Sequence, residues 1–122
     1  MKMHQLSIKI SPSSHFKLVQ FHAALCADPV RSLHGQFTLC HAGRVALYRA
    51  LCQWRAAHPK VYLFSSPRQG RGRRRPALPS DYIRFSIQLP EPLVCLLDTY
   101  AFHCGSTRGQ AFRDALDNGL ML

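Results

Sequence analysis

The chain has 122 residues and carries 16 Lys and Arg against 6 Asp and Glu, a formal net charge of +10 at pH 7. That length is enough to bury one hydrophobic core and excludes an assembly of several large domains. The charge is uneven, because residues 1–80 hold 13 basic side chains against Asp28 alone, whereas residues 81–122 hold 3 basic and 5 acidic ones. Such asymmetry favours a polyanion as the partner of the basic part.

The composition also excludes several classes of protein. No stretch approaches the roughly 18 apolar residues of a membrane-spanning helix, and the first residues lack the apolar segment of a signal peptide. We therefore expect a cytoplasmic protein with no membrane partner. The acidic side chains are few and dispersed, and no Ser, His and Asp grouping or glycine-rich phosphate loop occurs. We therefore expect no enzymatic activity and no cofactor.

The first predicted element is a strand in HQLSIKIS. Its residues alternate between an apolar set (Leu6, Ile8, Ile10) and a polar set (Gln5, Ser7, Lys9), which gives the strand one face for a core and one for solvent. A helix follows, and it has two apolar stripes. The periodicity does not show which of the two stripes faces the core. One stripe consists of His15, Leu18, Phe21 and Leu25; the other consists of Phe16, Val19, Ala23 and Cys26.

An insert and a second helix come next. The sequence ADPVRSLHGQF, residues 27–37, predicts an insert without a periodic pattern. The helix has its buried stripe in RVALYRALCQW, at Ala46, Leu47, Ala50, Leu51 and Trp54. Two residues are candidates for the start of this helix: Ala42, and Thr38, which is the better capping residue.

A basic connector, residues 58–80, separates the two halves of the chain. It reads HPKVYLFSSPRQGRGRRRPALPS, in which Val61–Phe64 suggests a short strand and the rest predicts an extended tether. Arg71, Arg73, Arg74 and Arg75 have no acidic neighbours in the sequence, and we expect them to bind DNA phosphates. The alternative is a solvated spacer.

Residues 81–122 predict one strand and two helices. In IRFSIQLP, apolar residues alternate with Arg84, Ser86 and Gln88. The period then changes to that of a helix, with a stripe at Leu93, Leu96, Leu97, Tyr100 and Ala101 that ends near Gly105. Thr107 followed by Gln110 is a capping box, and the last helix has its stripe at Ala111, Phe112, Ala115 and Leu116.

This segment, RFSIQLPEPLVCLLDTYAFHCGSTRGQAFRDALDNGL, resembles the ribbon-helix-helix family of DNA-binding proteins, the Arc, MetJ and CopG type. The resemblance implies that two such units pair their strands into an antiparallel ribbon that enters the major groove, with four helices forming a shared core. It implies that Arg84, Ser86 and Gln88 read bases. It also implies that Thr107 and Arg108, at the start of the last helix, bind a phosphate.

The first half of the chain is similar to the second, which predicts a tandem repeat. SIKIS aligns with SIQLP, so Gln5, Ser7 and Lys9 become the base-reading residues of the first copy. Aligned strand residues lie 79 positions apart (Ser7 and Ser86) and aligned last-helix residues 65 apart (Ala46 and Ala111), which leaves 14 extra residues in the first copy. Its phosphate site is in doubt, because Ala42 stands in the position of Thr107.

The predicted fold is α+β and mostly helical, with two ribbon-helix-helix units (1–57 and 81–122) joined by the connector. The two units pair either within one chain or between two chains. We expect a sequence-specific protein that binds double-stranded DNA, with an asymmetric target, acting as a transcriptional repressor of a bacterial or mobile-element operon. The alternatives are an accessory, relaxosome-like nucleoprotein component, or a protein-binding adaptor or inhibitor that uses Val30, Leu33 and Phe37 of the insert.

The five cysteines form no CxxC pair and are interpreted as reduced thiols in the core. His22 and Cys26 lie one helical turn apart, with Cys40 and His41 further along, so a zinc site is conceivable. Structural zinc sites have more closely paired ligands, and core packing is the preferred interpretation. We expect no metal.

Overall fold

The computed structural model describes residues 2–27, 38–68 and 78–121. Within these ranges the fold is α+β and mostly helical, as expected, with four helices and one two-stranded antiparallel sheet. The order is strand, two helices, strand, two helices. The elements are β1 (Met3–Ile10), α1 (Pro12–Cys26), α2 (Leu39–Ala57), β2 (Ile83–Pro90), α3 (Glu91–Cys104) and α4 (Arg108–Met121).

The two strands pair within the one chain. Ser7 lies opposite Ser86, Gln5 opposite Gln88, and Lys9 opposite Arg84. Because side chains of a strand alternate between faces, this register directs all the apolar residues of both strands to the same side. That side is buried, and it consists of Leu6, Ile8, Ile10, Phe85, Ile87 and Leu89.

A single hydrophobic core joins the two halves of the chain. Every helix contributes to it, and the inner face of the sheet closes it. The largest fully buried side chains include Leu18 of α1, Leu47 of α2, Leu97 of α3 and Phe112 of α4. The described elements of residues 1–57 and those of residues 81–122 therefore share one core.

The structure decides the phase of α1. Leu18 and Leu25 are buried, whereas Phe16 and Val19 are 63% and 42% exposed. The first of the two stripes therefore faces the core, and the second faces solvent. Ser11 caps the helix, because its side chain accepts a hydrogen bond from the Ser14 amide at 3.1 Å.

The second helix of each half begins at a threonine. The Thr38 hydroxyl accepts a hydrogen bond from the His41 amide at 3.1 Å, so α2 starts one turn before Ala42. The Thr107 hydroxyl accepts from the Gln110 amide at 3.2 Å, which confirms the predicted cap of α4. Near its other end α4 crosses α2 closely, because a Cβ atom added to Gly119 would lie 1.9 Å from the Ala46 carbonyl oxygen.

The first part of the connector is docked on α3, and the prediction of a tether is wrong there. The Phe64 amide donates to Thr99 Oγ1 at 3.0 Å, and the Arg68 amide donates to Asp98 Oδ2 at 2.8 Å. Residues 61–64 form no strand. A sequence pattern cannot show this docking, because the partners lie 35 and 30 positions away. Residues 69–77, with the four expected phosphate-binding arginines, lie outside the described ranges, as do residues 28–37 of the predicted insert.

The cysteines differ from the prediction of five core thiols. Cys95 is buried, but Cys26 and Cys104 are exposed, because they lie on the outer faces of their helices. Cys26 Sγ lies 3.5 Å from His22 Nε2. In the described ranges no three His, Cys, Asp or Glu residues come together as a metal site would require. None of the helices described in these ranges is long and apolar enough to cross a membrane.

Candidate nucleic-acid interface

The outer face of the sheet carries the six side chains that the sequence predicts as base readers. All six are exposed, whereas the residues between them are buried, so the alternation in the sequence has become a two-sided sheet. We call this surface the ribbon face. It consists of Gln5, Ser7, Lys9, Arg84, Ser86 and Gln88.

The register sorts the ribbon face into three cross-strand pairs. Two glutamines face each other at one end, two serines lie at the centre, and Lys9 faces Arg84 at the other end. The serine hydroxyls are 3.5 Å apart. Like charges directly opposite each other destabilise a strand pair. In the described part of the chain neither Lys9 nor Arg84 has an acidic partner, so this end of the ribbon face is suited to an anion.

An arginine side chain from α2 and another from α4 each donate a hydrogen bond to a carbonyl of a strand. Arg44 Nη1 of α2 donates to the Gln88 carbonyl oxygen at 3.3 Å, and Arg113 Nη1 of α4 donates to the Lys9 carbonyl oxygen at 3.2 Å. Gln88 and Lys9 lie 79 positions apart, which is the spacing of the predicted repeat. Each contact occupies one carbonyl of a strand and ties the ribbon to its own helices.

A shallow groove of about 270 Å³ lies beside β2. Its wall on the ribbon side comes from Gln5, Ser86, Ile87 and Gln88, and its other wall comes from Cys40 and Arg44 of α2. The Cys40 thiol donates to the Ser86 carbonyl oxygen at 3.2 Å. The groove therefore presents amide and guanidinium groups, which extend the hydrogen-bonding surface of the ribbon face.

The start of α4 carries both residues that the sequence predicts to bind a phosphate there, Thr107 and Arg108. The first amides of a helix have no partners within it, so the turn after Thr107 can receive an anion. The Arg108 side chain is different, because its Nε and Nη2 atoms both donate to the buried Asp98 carboxylate at 2.7 Å. Two of its guanidinium nitrogens therefore bind within the fold, and phosphate binding by this side chain stays a prediction.

The residues with shifted pKa values lie on the helices. Burial raises the pKa of the Cys95 thiol, and the nearby carboxylates of Glu91 and Asp98 raise it further. A hydrogen bond with Cys52 raises the pKa of Tyr48, and burial raises that of Tyr100. All three groups therefore stay protonated and uncharged at neutral pH.

Sequence reasoning missed the residues that support the ribbon face. Arg44, Arg113 and Cys40 bind strand carbonyls from helices that are distant in sequence, and no local pattern marks them. Asp98 did leave a signal, because it is an acidic residue inside the apolar run LVCLLDTY. A buried carboxylate needs a charged or hydrogen-bonding partner, and that requirement points to a structural ion pair.

The chain was compared with protein-family models, with curated proteins and with solved structures, and none of them matches it.

Proposed function

We propose that the chain is a tandem ribbon-helix-helix protein that inserts its two-stranded ribbon into the major groove of DNA. The register supports this arrangement, because the strands pair symmetrically about Ser7 and Ser86 in one chain. The helices support it as well, since each half contributes two of them to one core. The major groove of B-DNA is wide enough for a two-stranded ribbon.

The observation that carries the proposal is the composition of the ribbon face. Its six exposed side chains are all hydrogen-bonding or cationic, and a fully apolar face supports them from behind. Arg84 suits a bidentate contact to guanine, and Gln5 and Gln88 suit adenine. The start of α4 at Thr107 supplies a position for a backbone phosphate.

The two strands carry different side chains at equivalent positions, so the proposed target is asymmetric. By the spacing of 79 residues, Gln5 is equivalent to Arg84, and Lys9 is equivalent to Gln88; only the central serines are the same. A dimer of identical strands favours a palindromic site. This ribbon favours a site whose two halves differ, and the regulatory role proposed for it is that of a transcriptional repressor.

Selection of bound sequences from random duplex DNA, followed by affinity measurements across a salt series, tests the proposal. We expect one enriched site with unlike halves and an affinity that falls steeply with salt. The double variant Lys9→Ala/Arg84→Ala should weaken binding and reduce the salt dependence. Lys17→Ala removes an exposed cation of α1 outside the ribbon face and should leave both unchanged. No enriched site, or equal effects of the two variants, would exclude ribbon-directed DNA binding.

A further inference from the structure

A continuous row of aromatic rings lies where α2, α3 and the connector meet. The Trp54 ring stacks on His58 with 5.0 Å between centroids and lies 6.0 Å from His103. His103 is 5.6 Å from Phe102, and Phe102 is 5.8 Å from Phe64 of the connector. We call these five residues the aromatic patch.

The backbone beneath the aromatic patch is fixed by specific hydrogen bonds. Arg55 Nη1 donates to the His58 carbonyl oxygen at 3.2 Å and also to the Val61 carbonyl oxygen. Thr99 accepts from the Phe64 amide. The rings therefore need little ordering when a partner arrives, which lowers the entropic cost of binding.

Much of the aromatic patch and its margin is open to solvent. Phe102 is 70% exposed, and the adjoining connector residues Tyr62 and Leu63 are 91% and 46% exposed. Rigid aromatic side chains grouped on a surface are typical of the centre of protein–protein interfaces. An isolated exposed apolar residue needs no explanation, but a grouped set indicates a contact surface.

The aromatic patch is remote from the ribbon face. The first turns of α2 contact β2 through Cys40 and Arg44, and Trp54 lies ten residues beyond Arg44, about 15 Å along the helix. The helix α3 leaves the ribbon at Glu91, and Phe102 lies near its other end. A partner on the aromatic patch therefore leaves the ribbon face accessible.

The charge around the aromatic patch indicates the chemistry of its partner. Residues 38–68 contain no Asp or Glu, and Lys60 and Arg68 are exposed there. A second copy of this chain would bring the same positive charge to the contact. An acidic partner gains electrostatic attraction instead. The aliphatic Leu63 beside the rings favours a peptide with an apolar side chain over a single-stranded nucleic acid, which would use the rings alone.

We infer that the aromatic patch is a docking surface for an acidic protein segment anchored by an apolar side chain. The spacing of 65 residues leads from Trp54 to Gly119, and the spacing of 79 leads from Phe102 and His103 to Ala23 and Ala24. Among the described residues, these corresponding positions of the other half therefore lack the rings. This inference does not depend on DNA binding by the ribbon face.

Display of random linear peptides against the full chain tests the inference. We expect the enriched peptides to combine acidic residues with an aromatic or aliphatic one. Trp54 is the only tryptophan in the chain, so selected peptides without tryptophan can be titrated by its fluorescence. Phe102→Ala should weaken their binding about tenfold or more, as expected for an interface anchor. Lys60→Glu, an exposed change that preserves the core, should weaken it as well.

Two matched controls lie on α1. Phe16→Ala removes an aromatic side chain that is 63% exposed, and Lys17→Glu reverses an exposed lysine; both should bind the peptides like the parent chain. Failure to enrich acidic peptides, or equal losses in the controls, overturns the inference. Binding of oligo-dT that depends on Phe102 and exceeds that of every selected peptide would replace the protein partner with single-stranded DNA.

Discussion

The first helices of the two halves, α1 and α3, have corresponding places in the chain order but differ at one position in what they bury. They start 79 positions apart, at Pro12 and Glu91, which is also the spacing of the strands. Asp98 of α3 is 2% exposed, whereas its equivalent in α1, Val19, is 42% exposed. A carboxylate lies inside in α3, and an aliphatic side chain lies outside in α1, at positions that are 79 residues apart.

The connector explains this inversion. It runs over α3, where its Arg68 amide and the Arg108 guanidinium satisfy the Asp98 carboxylate. In the described part of the chain no segment covers Val19 in this way. The positions that face the shared core do not diverge: Leu18 and Leu97 are equivalent, and both are fully buried. The comparison shows that the shared core restrains both halves, while the outer helix faces follow their local neighbours.

The largest expected effect comes from breaking the buried ion pair. Asp98→Ala leaves Arg108, whose side chain is 16% exposed, without its carboxylate partner, and it removes the acceptor of the Arg68 amide. Loss of one partner of a buried pair costs about 3 to 5 kcal/mol. We expect a loss of that size in the free energy of unfolding, measured by urea denaturation. Val19→Ala, at the equivalent position, should cost under about 1 kcal/mol. Equal losses in the free energy of unfolding for Asp98→Ala and Val19→Ala would mean that docking of the connector does not stabilise α3.

The close crossing of α4 and α2 is a second difference between the halves, since Gly119 of α4 corresponds to Trp54 of α2 at the spacing of 65 residues. Gly119→Ala puts a methyl group against the Ala46 carbonyl and must separate the helices. Overpacking of this kind costs about 1 to 3 kcal/mol, and thermal unfolding measures it. Gly109→Ala is the control in the same helix, because the nearest atom to its new Cβ would be 3.7 Å away. It should be neutral or stabilise by up to about 1 kcal/mol. A stable Gly119→Ala variant would contradict the close crossing.

The two strands are expected to read different halves of the proposed DNA site. Arg84→Ala should weaken binding to the selected DNA site by about 1 to 3 kcal/mol and relax its preference at one position. Gln5→Ala, at the equivalent place in β1, should relax a position in the other half of the site. Repeating the sequence selection with each variant measures this. Relaxation at the same position by both variants would mean that the strands do not read separate halves. Helicity should be unchanged, because both side chains are exposed.

Thiol reactivity gives the smallest and most local test. Cys95 is buried and its pKa is raised, so only a small fraction is the reactive thiolate. Cys104, on the same helix, is exposed. We expect iodoacetamide at neutral pH to modify Cys104 first and to modify Cys95 only on unfolding. Mass spectrometry of the peptides measures the modification of each thiol. In Asp98→Ala, Cys95 should react sooner if the connector loosens from α3. Equal rates for the two thiols in the parent chain would contradict the packing of α3.

Local patterns predicted more of this fold than long-range ones. The strands, their polar faces and the Thr107 cap follow from spacings of two or three residues, and they agree with the structure. The phase of α1 could not be predicted, because the helix has two apolar stripes and only tertiary packing selects one. The docking of residues 58–68 could not be predicted either, since it depends on Asp98 and Thr99 of a later helix. The same holds for the ion pair of Arg108 with Asp98, which joins two different helices.

The pairing of β1 with β2 in one polypeptide has a consequence for how such a surface changes over generations. In a ribbon built from two identical molecules, every substitution appears twice, and the ribbon forms only where the molecules meet at sufficient concentration. Here a change at Lys9 leaves Gln88 as it was, although the two are equivalent. Each strand can therefore be altered by single mutations without a matching change in the other, and the ribbon is complete even when a cell holds one molecule.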